Sequence, residues 1–582
     1  MRRFALALVL AAATPAAAAP PDDLARLIDE HWAWYLQANP EQATTLGERR
    51  YDDRLSDLSL AEADRQAAEA RRFLDRLQAI PDAGLSPADR INKGVLARLL
   101  TEQIEANGFG QRQMLFTTFY GWHQAFAGLA DNMPFRTKAD YESYLTRLAA
   151  YPRLNAEAIA ITRQAVADGY VQPCAAMAGY EKAIIGTVAE DPAKSRFYAP
   201  LTRARPADVS EADWAALQAR ARSLIADTVN PEYRRFHDFY TSEYAPRCRN
   251  TVGASAMPDG TRWYAWRARV MTTTDKTPDE IHAIGLAEVA RIRAEMIEVA
   301  RKAGFPSREA FIAELRSNPK YYARTPDELL AAAAYQAKRI DGLLPRWFGR
   351  LPRLPYGVKP IPAEIAEGTT TAYYSSGAPA AGLSGTYYVN TSKLPQRPLW
   401  ELPALTAHEA VPGHHFQIAL QQELELPEFR KHQASFTAFV EGWALYTERL
   451  GIEMGLYETP EAHMGRLSYE MWRACRLVVD TGLHAKGWSK AQAVAFMRDN
   501  TALTEANIEA EVNRYISWPA QALGYKMGEI KIRELRARAE AALGPRFDIR
   551  RFHDAVLGQG AVPLDILEAQ IDGWIAAERA RS

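Results

Sequence analysis

Helix-start signals constrain this chain more than any other feature. The stretch TPDEIHAIGLAEVARIRAEMIEVARKAG sets Thr277 three residues ahead of Glu280, with Pro278 between them. That is a capping box with proline at the first helical position. Ile281, Ile284, Val289, Ile292, Met296 and Val299 then recur at three- to five-residue steps, until Gly304 and Pro306 stop the run. Thr325 to Glu328 repeats the same opening, and Ser489 with Gln492 makes another box. The N-terminal third, from DDLARLIDEHWAWYLQ through ADYESYLTRLAAYPRLNAEAIAITRQAVADG, reads as helix with short proline or glycine breaks. A mainly α chain is expected, with one large helical domain over residues 19–582.

One region breaks the pattern. Pro345, Pro352, Pro355, Pro360 and Pro362 exclude helix there. Beyond them, TTAYYSSGAP and SGTYYVNTS are β-branched and aromatic runs between glycines, the pattern of short strands. The second run, Ser384 to Asn390, is expected to present an edge strand, with Tyr387 and Tyr388, to an extended substrate backbone.

The start of the chain, MRRFALALVLAAATPAAAAP, has two arginines, a short apolar run and then small residues. It predicts a signal peptide over residues 1–18 and a soluble exported protein, periplasmic in a Gram-negative source. No cysteine lies near the cleavage site, which argues against a lipid anchor, and no later apolar run reaches spanning length. A formal net charge of −1 disfavours nucleic acid as a partner. In an oxidising compartment one disulfide is expected among Cys174, Cys248 and Cys475, between the first two, with three free thiols as the open alternative.

Chemistry concentrates in TAHEAVPGHHFQIAL, Thr406 to Leu420. It begins as the zinc-binding motif H-E-x-x-H does, but Pro412 stands where the second histidine belongs. On a regular helix His414 would lie ~9 Å up the axis and roughly 120° off the face of His408, and His415 ~10.5 Å up the axis. Neither could share an ion with His408 at ~2.0–2.1 Å. Pro412 offers no N–H to the carbonyl of His408 and crowds it, and Gly413 then permits almost any turn. Looping out two residues would return His414 to the ligand position, with His415 as the second choice, and would leave Glu409 beside the ion as general base. The blander alternative is a His414-His415 pair that satisfies carbonyls at a helix end.

A third ligand is expected on a second helix. Glu441 in TAFVEGWALYTERL lies 27 residues after His414, and Glu-Gly-Trp-Ala resembles the Glu-Gly-Phe-Ala run of zinc aminopeptidases, in which the glutamate binds the metal. Glu448 reads as a supporting acid. Arg473, Arg476 and Asp480 can share a helix face, either to hold a peptide carboxylate or as an internal ion network. His484, Tyr515 and Tyr525 are candidates for stabilising an oxyanion, each with core packing as its alternative.

Taken together, HEAVPGHHFQ, EGWALYTE, RLVVDTGLHAKGWS and RYISWPAQALGYKMGE resemble the bacterial domain-of-unknown-function family 885, grouped with the glutamate-type zincins of the metallopeptidase MA clan. NPEQATTLGERRYDDRLSDLS and MPFRTKADYESYLTRLAAYP extend the resemblance over nearly the whole chain. It implies a large helical metallopeptidase domain, with a small β element beside a central channel and a metal at its base. It also implies one zinc ion on His408, His414 and Glu441 and Glu409 as base, but no substrate; short peptides are the expectation drawn from the site chemistry itself. A hydrolase of modified amides, and an exported binding protein with a structural metal, remain the alternatives.

Overall fold

A computed structural model describes residues 19–581, apart from 119, 367–369 and 380–381 and the side chains of 364–365. The expected signal segment, 1–18, lies outside the described residues. The architecture is mainly helical with one small sheet. The elements that build the site are, in chain order, helix α1 (Pro278–Lys302), strands β1 (Tyr356–Pro360), β2 (Ala372–Ser375) and β3 (Gly385–Val389), and helices α2 (Leu402–Glu409), α3 (His414–Glu423), α4 (Thr437–Leu450), α5 (Pro460–Ala485), α6 (Glu505–Ser517) and α7 (Gly524–Leu543).

The expected start signals operate. Thr277 and Glu280 exchange hydrogen bonds as a full capping box, as do Ser489 and Gln492. Thr325 caps its helix through Glu328 N–H, but the Glu328 carboxylate turns to the Arg324 amide, so that box is half made. Cys174 and Cys248 form the expected disulfide, and Cys475 is a buried free thiol. No helix among the described residues is long and apolar enough to cross a membrane.

Helix α5 is the axis of the site. From Met464 to His484 every residue is buried, yet the run contains Arg466, Glu470, Arg473, Arg476 and Asp480. Buried charges persist only when paired. Lys526 on α7 supplies part of the pairing, its Nζ lying 2.9 Å from carboxylate oxygens of Glu288 on α1, Glu470 on α5 and Glu529. Helices α4 and α7 approach unusually closely: a Cβ on Gly528 would stand 1.8 Å from the Ala438 carbonyl, and one on Gly442 would stand 2.5 Å from the Gly528 Cα. Those two glycines let Glu441 on α4 and Tyr525 on α7 reach the same cavity.

The sheet order is β1-β3-β2, with β1 parallel and β2 antiparallel to β3. This corrects the expectation for Ser384–Asn390. That run is the central strand, its backbone groups are used on both sides, and it has no free edge. Tyr387 is fully buried with its hydroxyl 3.5 Å from Thr406 Oγ1, and Tyr388 stacks on Tyr373 at 4.9 Å. The edge strand at the site is β2. The proline-rich stretch, legible only as non-helical, contributes β1. Proline is tolerated there because an edge strand needs no ladder N–H on its outer side.

Several imidazoles are held neutral by burial: His31 is pushed down to about 4, and His484 and His553 to about 3. The unfolded chain binds these protons near pH 6.5, whereas the native state refuses them until lower pH. Stability is therefore present above pH 6.5 and is lost as pH falls toward 4, by about 1.4 kcal/mol per unit for each such group. Burial raises Glu102, Glu401 and Asp480 to about 7, which works the other way, but His123, His415 and His463, pushed down to about 4, join the three imidazoles above. Thermal melts from pH 7 to 4.5 should therefore show a falling midpoint; a rising midpoint would contradict this.

Candidate metal centre

The His-Glu helix breaks where the sequence requires. Helix α2 ends at Glu409, Ala410 leaves helical geometry with φ −102° and ψ −103°, and α3 begins at His414. The peptide between Val411 and Pro412 is cis. Helix α4 holds the corner: Trp443 Nε1 donates to the Pro412 carbonyl at 2.8 Å, and Thr447 Oγ1 donates to the Ala407 carbonyl at 3.0 Å.

The same helix supplies the acids. Glu441 and Glu448 are seven residues apart, two turns on one face. Glu441 Oε2 lies 3.5 Å from His408 Nε2 and 3.3 Å from His414 Nε2. Glu448 Oε1 accepts from His408 Nδ1 at 2.8 Å, which fixes the tautomer and leaves Nε2 as the free ligand atom. The word EGWALYTE thus reads as one device: ligand, close-packing glycine, two clamps on the corner, and an orienting acid.

His408, His414 and Glu441 each present one ligand atom, all within 4.8 Å of one another. Four-coordinate geometry with bonds of ~2.1 Å sets ligand atoms about 3.4 Å apart, and the two measured separations match it. Glu441 Oε2 is buried without a hydrogen-bond partner although it faces both Nε2 atoms. The donor set therefore fits a divalent cation of the zinc type. Desolvation opposes charge on His408, but the adjacent carboxylates of Glu441 and Glu448 outweigh it and raise the imidazole to about 9. Glu441 is held well below the carboxylate range: burial opposes its charge, and His414 and His408 overcome that. A proton held between these groups does what a cation would do, so a cation bound there would displace it.

Glu409 lines the cavity beside these ligands and makes no hydrogen bond or ion pair with any described residue. His415 is turned away: its Nε2 donates to the Leu354 carbonyl at 3.1 Å and its Nδ1 accepts from Tyr374 at 3.1 Å. The two-residue loop therefore selects His414.

The cavity has a volume of about 640 Å³. Arg473, Arg476 and Tyr525 line it as expected, with Tyr373 and Tyr374 of β2 on the opposing element. Arg473 reaches Glu448 at 3.6 Å and stacks on Trp472, its guanidinium carbon 4.4 Å from the ring centre, with Nε unpartnered. Arg476 binds Tyr515 and Glu511 at 3.0 and 2.9 Å, keeping one buried terminal nitrogen unpartnered. Asp480 departs from the shared face; it accepts from Tyr264 and from the Ala520 amide.

Two candidates are corrected. His484 is fully buried, its Nδ1 accepting from the Ala254 amide at 3.0 Å and its Nε2 donating to the Tyr515 carbonyl at 2.9 Å, so it is a packing residue. Tyr515 is sealed in the core, donating to Glu511 and accepting from Arg476 and Trp472, and does not line the cavity. Tyr525 remains, its ring 6.4 Å from that of His408. Sequence reasoning missed Arg514, whose Nη2 lies 3.4 Å from the Tyr525 hydroxyl, and Arg316, Arg397 and Glu401 on the far wall. Arg514 sits three residues after Glu511, so a helical reading of α6 would have placed it beside that acid.

Replacing Glu448 with glutamine is expected to weaken metal binding about 10–100-fold. Competition with a chromophoric chelator measures this; an unchanged affinity would remove Glu448 from its orienting role.

The sequence matches the family described as "Bacterial protein of unknown function (DUF885)" over residues 40–571. The chain belongs to this family. A putative lipoprotein from Colwellia psychrerythraea superposes with a TM-score of 0.89 at 28% identity, covering 96% of this chain and 100% of that one. A putative lipoprotein of unknown function from Shewanella oneidensis shares the fold, with a TM-score of 0.74, 20% identity and coverage of 95% and 99%. No curated protein matches the chain. This DUF885 member carries an H-E-x-x-P-G-H-H word, His408 to His415, with Glu441 and Glu448 beside it on α4.

Proposed function

We propose that this DUF885 protein is a zinc-dependent metallopeptidase of the glutamate-zincin type, acting on short peptides. The observation that carries the reading is the pairing of a three-residue donor set with an uncommitted carboxylate. His408, His414 and Glu441 converge, and Glu409, next in sequence to the first ligand, is left without a partner. A purely structural ion has no use for such a base.

A zinc ion bound there would supply Lewis acidity, polarising a carbonyl and lowering the pKa of water toward ~7. Glu409 accepts the proton of the attacking water on its carboxylate and passes it to the departing amine nitrogen. Tyr525, which lines the same cavity, donates its hydroxyl hydrogen to the developing oxyanion. The outer edge of β2 offers backbone groups for pairing with an extended peptide, a role first expected of β3. Arg473 and Arg476, each with an unpartnered buried nitrogen, suit a peptide carboxylate and favour cleavage near the C-terminus. The relatives described as lipoproteins, together with the Cys174–Cys248 disulfide, support an exported or envelope location.

Mass spectrometry of a defined mixture of short peptides, incubated with zinc-loaded protein, tests the reading. Cleavage that stops with a chelator and returns with zinc is expected. An intact mixture after prolonged incubation with metal-loaded protein would refute it.

A further inference from the structure

A second cavity, of about 350 Å³, adjoins the metal cavity and shares Trp518 with it. Its walls are aromatic: Trp263 and Trp266 of the helix Gly260–Thr272, Trp518, and Tyr120, which is 49% exposed. Tyr120 meets Trp518 edge to face, with ring centres 6.3 Å apart. Trp266 directs its indole N–H to Glu105 at 2.9 Å, so its remaining ring surface is apolar.

The charge in this cavity is one-sided. Arg112, Arg249 and Arg267 line it, and among the described residues no Asp or Glu does. Arg112 is paired with Asp64. Arg249 is bound only by the carbonyls of Val171, Thr251 and Gly253, which are dipoles and do not neutralise it. Arg267 makes no hydrogen bond or ion pair with any described residue; its guanidinium lies 5.8 Å from the Trp266 ring centre. Burial pulls the Arg267 guanidinium below its ordinary value. The carboxylates of Glu102 and Asp480 act on Arg267 only at a distance, so its half-buried guanidinium keeps its donors free for an anion that enters the cavity.

We propose that this cavity is a second ligand site, for a carboxylate carrying an aromatic or branched apolar body. The carboxylate pairs with Arg267, whose planar fork matches it bidentately, and the apolar body packs among the tryptophans. The volume is at the small end of the range that ligand sites occupy, which suits one amino-acid residue with a blocked amine. Its ligand touches the indole over which Arg514 of the metal cavity sits, at 5.8 Å from the ring centre. The proposal does not depend on the metallopeptidase reading, because it concerns binding rather than turnover.

Isothermal titration with N-acetylphenylalanine and with its carboxamide tests it. The acid should bind to a site that depends on Arg267, with the amide weaker there by at least about tenfold. Arg267→Met should weaken the acid by a similar factor, and Arg267→Lys by less. Equal binding of acid and amide, no binding at millimolar probe, or an Arg267→Met variant with unaltered affinity would overturn the proposal. Loss in Arg473→Met alone would also overturn it, by placing the probe in the metal cavity. If Arg267→Met fails to fold, Arg267→Lys, which keeps the charge but loses the fork, decides by whether the acid weakens.

Discussion

Glu409→Gln is expected to lower peptide turnover by about 10²–10⁴-fold while zinc affinity stays within a few-fold of the unaltered protein. Glutamine has nearly the same shape but cannot accept the proton of the attacking water. Because Glu409 binds none of the described residues, the change removes no packing or ion pair, and the melting temperature should not fall. Initial rates on the best peptide from the mixture, with parallel metal titrations, give both quantities. Turnover that survives in the variant would mean that another group carries the proton.

Gly413→Ala should damage metal binding and stability together. A Cβ there would stand 1.9 Å from the His408 carbonyl oxygen and 2.4 Å from that of Ala407, both backbone atoms of the helix that presents the first ligand. Nothing flexible is available to give way, so either the corner opens or His408 shifts. Overpacking of this kind costs about 1–3 kcal/mol. The displacement should weaken zinc binding by at least about tenfold, since a metal site tolerates only a few tenths of an ångström in its ligand distances. Calorimetric unfolding and metal titration of one preparation measure both effects. A variant with normal affinity would show that the corner does not need its glycine.

Helix content, the strands at 372–375 and 385–389, the broken motif and the nearness of Glu441 to both histidines were legible in the sequence, because each has a local signature: a capping box, a β-branched run, a proline inside a histidine motif, a Glu-Gly-Trp-Ala word. Pairing is not local. The order β1-β3-β2 could not be read because β1 hides among prolines and joins β3 in parallel across an intervening strand, so the edge was assigned to the wrong run. Helical spacing placed Arg473 and Arg476 correctly, since both lie on α5. It gave no warning that Asp480, one further turn on, faces Tyr264. His484 and Tyr515 illustrate a general limit. A histidine or tyrosine near a motif carries the same letters whether its polar atoms meet a substrate or a backbone amide. Only the packing of α6 on α5, and of the Ala254 turn on His484, separates the two.

The Pro-Gly corner swings His414, and not its neighbour His415, towards His408 and Glu441, where the three are proposed to hold one ion. Counting zinc ions per chain by plasma mass spectrometry, after dialysis of the unaltered protein, His414→Ala and His415→Ala, tests this most directly. One ion is expected in the unaltered protein and in His415→Ala, and close to none in His414→Ala. A full complement of zinc in His414→Ala, with loss in His415→Ala, would contradict the account.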